Sequence, residues 1–217
     1  MGDDFANRQC FAGNGNRELV YERLLQTIFR SMAAAGYKHV HNEEDANRSI
    51  VIGPNGRWIF IGDTAGSTDS AAPDEFAALT ADLSIILPVI EIHMCDSAGI
   101  HLKLYDAGGM IDKYGNSAFP FYKFVTDKEI DEFRGRPEYW TEYLLPGRSP
   151  EELRAIWTQD WRAEKILSDS AKLFGWDPFL CAIGYTLDVE GLGDKYDQVL
   201  LEENQSLEGF TELYFSI

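Results

Sequence analysis

A chain of 217 residues, 45% hydrophobic and 13% aromatic, is long enough to bury about 70% of its unfolded surface around a sizeable core. Its 36 acidic residues against 19 lysines and arginines leave a net charge of −17, a field that repels DNA, RNA and anionic lipid, whose binding rests on basic groups. The sequence contains no run of about 18 apolar residues, so neither nucleic acid nor a membrane is an expected partner.

The charge is unevenly placed. Residues 1–60 carry seven acids and seven bases, whereas residues 61–217 carry 29 and 12. In the segment 188–217 eight acids face one base, Lys195. Such a field attracts a basic protein and raises its association rate by roughly 10–10³-fold. The N-terminal "MGDDFANRQC" is acidic and polar, unlike a basic-then-apolar signal peptide. Cys10, Cys95 and Cys181 lie far apart without a CxxC pair. They read as thiols of a cytoplasmic protein rather than a disulfide frame.

In chain order, Asn16 is placed to cap a helix carrying Leu19, Leu24, Leu25, Ile28 and Met32, closed by Gly36. Runs 49–53 and 57–62 flank Pro54-Asn55-Gly56 and predict a β-hairpin. Pro73-Asp74-Glu75 opens a second helix, with Phe76, Leu79 and Leu83 inward. In 89–95 and 100–105, apolar residues alternate with Glu91, His93, His101 and Lys103, which predicts strands with one core face and one polar face. Matching the faces sets Glu91 opposite Lys103, His93 opposite His101, and Lys103 opposite Asp112 across the Gly108-Gly109 turn.

After the aromatic stretch "FPFYKF", the segments "TDKEIDEF", "RPEYWTEYLL" and "SPEELRAIW" predict short helices, the last with a capping box at Ser149 and Glu152. A longer helix is expected over 158–174, stopped by Gly175. Asp177-Pro178 opens another short helix, and "FTELYFSI" predicts a final strand docked into the sheet. The expected fold is therefore α+β: a mostly antiparallel β-meander covered by helices on one face, with a helical C-terminal part and a final strand. It reads as one domain over 1–217, with a soft boundary near 146–148.

Motifs that would announce chemistry are incomplete. "WIFIGDTAGS" at 58–67 has the look of a GTPase switch, but no GxxxxGK[ST] precedes it. "GNGNREL" lacks the lysine and, as read from the sequence, a preceding strand. The Asp-Thr-Ala-Gly is accordingly expected to be a strand end and turn, with Gly66 at positive φ. "DVEGLGDKYD" at 188–197 has Leu192 and Val199 where a calcium loop needs oxygen ligands. GxSxG is absent. Glu91, His93, His101 and Asp112 form an alternative polar-face site for acid/base or metal chemistry, with Cys95 nearby. No cofactor and no metal are expected on the main reading.

"LYDAGGMIDKYGN" and "AEKILSDSAKLFGWDPFLCAIGY" resemble pieces of uncharacterised bacterial α+β proteins in which a sheet hairpin is followed by a Leu-rich helix and a Gly-x-Asp-Pro turn. Small acidic chains of this type resemble bacterial immunity proteins, and that resemblance implies a non-enzymatic inhibitor of a basic toxin or nuclease. The expected contact residues are Asp188, Glu190, Asp194, Asp197, Glu202 and Glu203, with Trp140 and Tyr143 as aromatic anchors. A small hydrolase-like enzyme using the polar sheet face and a structural subunit are the alternatives.

Overall fold

Alternating side chains build a continuous sheet from strands scattered along the chain. They are β1 (Phe5–Phe11), β2 (Lys38–Val40), β3 (Arg48–Asn55), β4 (Trp58–Asp63), β5 (Val89–Cys95), β6 (Gly99–Asp106), β7 (Gly109–Gly115) and β8 (Thr211–Ser216). The computed structural model describes residues 5–13, 15–66, 73–95, 99–116, 131–159, 162–181 and 209–217. Among these residues the eight strands form one sheet in the order β2-β8-β3-β4-β1-β5-β6-β7, and every pairing is antiparallel. The α+β fold, the β5–β6–β7 meander and the terminal strand are as expected from the sequence.

Helices cover both faces, not one. On one face α1 (Arg17–Ala34) and α2 (Pro73–Ser84) place Leu24, Ile28, Met32, Leu79 and Leu83 against Ile50, Ile52, Ile59, Ile61, Val89, Leu213 and Phe215. On the other, Ile90, Ile92, Leu102, Leu104 and Tyr114 meet Trp140, Leu153, Trp157, Ile166 and Phe174. These come from a 3₁₀ turn (Pro137–Tyr143), α3 (Pro150–Trp157) and α4 (Ala163–Phe174), after which α5 (Pro178–Cys181) follows. Each fully buried Leu or Ile contributes roughly 1.5–3 kcal/mol of transfer free energy.

Local signals act where they were legible. Asn16 accepts the Leu19 N–H, Ser149 and Glu152 close a reciprocal capping box, and Gly175 ends α4 at φ 73°. The last of these helices begins at Ala163 rather than at Thr158. "RPEYWTEYLL" forms the expected short helical segment as a 3₁₀ helix over Pro137–Tyr143, and "TDKEIDEF" falls largely outside the described residues. Leu213 and Phe215 are buried as expected of a docked strand, whereas Ile217 extends past it and is exposed.

Two expectations are overturned by strand pairing. The acidic N-terminus contains β1, so a strand does precede "GNGNREL", and it lies in the interior of the sheet between β4 and β5. Lys103 faces Lys113, and Asp112 faces Leu104. The turn register, Asp106 with Gly109 and Tyr105 with Met110, would carry Lys103 onto Asp112 if it continued. A bulge between Leu104 and Tyr105 shifts it by one residue, and a one-residue shift moves a side chain to the opposite face. Asp112 therefore leaves the polar face altogether.

Candidate functional site

The odd-even alternation of β1 sends Arg8 to the face beneath α2, and the neighbouring strands deliver Arg48, Asp63, Glu91 and Lys103 to the same face. The result is an ionic strip running across five strands. Asp63 is at its centre: Arg48 grips it with Nε at 2.9 Å and Nη2 at 2.7 Å, and Arg8 Nη1 lies at 3.1 Å. Arg48 reaches outward to Glu75 at 2.9 Å, which also accepts the Tyr37 hydroxyl. In the other direction Arg8 donates to Thr80 Oγ1 at 2.8 Å, and Thr80 donates to Glu91 Oε2 at 2.8 Å. Glu91 Oε1 receives Lys103 Nζ at 2.5 Å and lies 2.7 Å from His93 Nε2.

Helix α2 acts as the cover. Its Phe76 carbonyl accepts from Arg8 Nη2, and the Phe76 ring lies 3.5 Å from the Arg8 guanidinium carbon. Gly66 allows that approach: a Cβ there would come within 2.6 Å of the Phe76 ring. This close packing, rather than the expected positive φ, is what calls for glycine. The Asp-Thr-Ala-Gly stretch is a strand end and 3₁₀ turn as expected. Asp63 binds the Ala65 amide there, but its larger partners are two arginines distant in sequence.

Arg8, Asp63 and Glu91 are inaccessible to solvent, and such charges persist only when paired. Burial acts to raise the Asp63 carboxyl, but Arg8 and Arg48 outweigh it and hold it below the usual carboxylate range. Glu91 is likewise opposed by burial and held ionised by His93 and Lys103. An ionised carboxylate only accepts, so the His93–Glu91 hydrogen bond is donated by His93 Nε2–H. Burial, with Lys103 and His93 nearby, pushes His101 down to about 2 and keeps it neutral. Its ring packs 4.8 Å from Phe133.

Of the alternative polar-face residues, the fold thus assembles Glu91, His93 and His101, keeps Lys103 opposite Glu91 as expected, and adds Arg8 and Thr80, which no sequence pattern pointed to. Asp112 is on the opposite face, where it accepts the Trp140 Nε1–H at 2.8 Å and the Arg136 N–H at 2.6 Å. Trp140 and Tyr143, expected as anchors, are core residues exposed by 0% and 3% and are closed to a partner. Asp188, Glu190, Asp194, Asp197, Glu202 and Glu203 lie outside the described residues, as does most of the aromatic stretch 119–124. Among the described residues no three His, Cys, Asp or Glu side chains converge as metal ligands would. No helix among them is long and apolar enough to cross a membrane.

The same strands carry a neutral counterpart on the other face. Cys181 O accepts Asn7 Nδ2, Asn7 Oδ1 accepts Gln9 Nε2, Gln9 Oε1 accepts Asn55 Nδ2, and Asn55 Oδ1 accepts the Asp177 N–H, at 2.6–3.0 Å. This amide strip binds the sheet to both ends of α5, at Asp177 and at Cys181. Comparison of the chain with family models, curated proteins and solved structures finds no match.

Proposed function

We propose that this protein is a non-enzymatic, cytoplasmic binding protein, an immunity-type inhibitor that blocks the active site of a basic toxin or nuclease. The observation carrying this reading is the −17 charge confined to residues 61–217. Internal pairing does not consume it. Among the described residues the buried ionic groups are Arg8 and Arg48 against Asp63, Glu91 and Asp112, which nearly cancel. The excess acidity therefore remains to steer a cationic partner, and Asp188, Glu190, Asp194, Asp197, Glu202 and Glu203 are the side chains that would stand in for its anionic substrate.

The test is co-expression with the product of the adjacent gene, followed by complex isolation and an assay of that product's toxicity. A complex whose affinity falls steeply between about 50 mM and about 500 mM salt is the expected outcome, because the Debye length shrinks several-fold over that range. An adjacent product that neither binds nor is toxic would sink the proposal.

One observation favours a second reading, a small hydrolase-like enzyme. His93 is held by a buried carboxylate yet its side chain is 30% exposed, the arrangement of a carboxylate-oriented general base. Turnover of ester or phosphoester substrates that drops roughly 10²-fold or more in His93→Ala would transfer the assignment to it.

A further inference from the structure

The described residues that expose large apolar side chains are few, and four of them gather at one end of β7. Ile85 is 61% exposed, Met110 50%, Ile111 42% and Tyr139 46%. Ile85 lies against Gly108 at the β6–β7 turn: a Cβ on that glycine would meet Ile85 Cγ1 at 3.2 Å. Met110 and Ile111 follow directly and, with Gly135 and Arg136, line a pocket of about 390 Å³ rimmed by Asp131 and Glu132. The Arg136 guanidinium stacks 4.4 Å above the Tyr139 ring. Two stretches distant in sequence thus line one pocket, with Ile85 beside the β6–β7 turn and Tyr139 under Arg136 at its margins.

The patch is also held in shape. Asp112, nearly buried, accepts the Arg136 Nε–H on Oδ1 at 3.1 Å, while its Oδ2 accepts both the Arg136 backbone N–H and the Trp140 Nε1–H. Arg136 is 62% exposed yet has its orientation set before any partner arrives. Met110, Ile111 and Arg136 lining a pocket, the arginine ordered in advance and stacked on Tyr139, match the composition and preorganisation of an interface hot spot. The bulge and Lys113 discourage addition of another strand to the β7 edge, so side-chain insertion is the mode that fits.

We infer that this patch is where the basic partner docks, inserting a bulky apolar side chain between Met110, Ile111 and Arg136. The inference rests on the binding function proposed above and names its surface. Locally the acids Asp112, Asp131 and Glu132 are balanced by Arg136, Arg134 and Lys113. Apolar insertion there faces no net local field, while the acidic remainder of the molecule draws the partner in. A second copy of this chain would bring another −17 and is the disfavoured occupant.

The probes are fluorescein-labelled Lys-Lys-Trp-Lys-Lys and Lys-Lys-Ala-Lys-Lys, titrated by anisotropy, with the methyl groups of Ile85, Met110 and Ile111 followed by NMR. The tryptophan peptide should bind at least about tenfold more tightly than the alanine peptide and shift those methyl resonances, a tenfold change being the scale of one modest hot spot. Met110→Ser/Ile111→Ser should erase that preference without lowering Tm, since both side chains are half-exposed, and Arg136→Ala should weaken it. Equal affinity for the two peptides, or methyl shifts confined to other parts of the protein, would overturn the inference. If a basic partner binds wild type and the double variant equally, the surface is wrong and the binding function stands. If the tryptophan peptide docks on the patch but the adjacent gene product neither binds nor is toxic, the reverse holds.

Discussion

Two polar strips cross the same strands of this sheet, one on each face, and they differ in kind. Beneath α2 the strip is ionic, running Glu75–Arg48–Asp63–Arg8 and through Thr80 to Glu91 and Lys103. On the opposite face Asn7, Gln9 and Asn55 make a strip of neutral amides. Both are buried where they cross β1, Arg8 on one face and Asn7 and Gln9 on the other, and the ionic strip emerges at Glu75 and Lys103. The ionic strip binds its members more strongly, but each charge is costly once unpaired, whereas an amide losing its partner forfeits much less. The ionic strip is consequently the more brittle, and it alone responds to pH.

The largest separation between the two is expected from Asp63→Ala, which strands Arg8 and Arg48 without their shared carboxylate. Urea denaturation should report a loss of about 3–5 kcal/mol. Next comes pH. On folding, His101 falls from its ordinary 6.5 to about 2, so between those values the unfolded chain takes up a proton that the folded chain refuses. That contribution is complete above pH 6.5 and declines as pH drops, by up to about 1.4 kcal/mol per pH unit. His101→Gln should flatten the stability curve between about pH 6.5 and about pH 4.5.

Below the ordinary carboxylate pKa, Asp63 and Glu91 add to the acid loss. Their folded values are depressed, so their stabilisation is present above about pH 4 and disappears as pH falls through the folded values.

In the neutral strip, Asn55→Ala should cost about 1–3 kcal/mol, by leaving Gln9 Oε1 and the Asp177 N–H without their partner, and the loss should be the same at pH 5 and pH 7. A loss that grew on acidification would break the contrast. Thr80→Val removes the hydroxyl that accepts from Arg8 Nε and donates to Glu91 Oε2, and leaves both buried groups one partner short. A cost of about 1–3 kcal/mol, at least that of Asn55→Ala, is expected by thermal unfolding.

Legibility followed the kind of signal involved. The β5–β6 register, with Glu91 opposite Lys103 and His93 opposite His101, could be read because alternation over seven residues admits one arrangement that buries every apolar side chain. The helix ends at Asn16, Ser149 and Gly175 were legible because capping is settled within a few residues. β1 was not, since Asn7, Arg8 and Gln9 resemble surface residues until partners from β3, β4 and α2 are supplied. Trp140 and Tyr143 could equally have been anchors or core by composition, and only the packing of α3 and α4 distinguishes these. The exposed patch at Met110 and Ile111 gave no periodic signal, being made by a bulge and a distant segment.

By itself, then, the amino-acid order determined what depends on near neighbours: the α+β class, the meander, most element boundaries and the acidic excess after residue 60. The tertiary structure alone decided which polar residues are interior, because a buried charge is tolerable only beside partners that the fold brings from elsewhere. It turned Asp63 from a turn residue into the hub of the ionic strip, moved Asp112 to the opposite face through one bulged residue, and brought Ile85, Ile111 and Arg136 to a common surface. Those outcomes depend on register and on long-range approach, which no local pattern encodes.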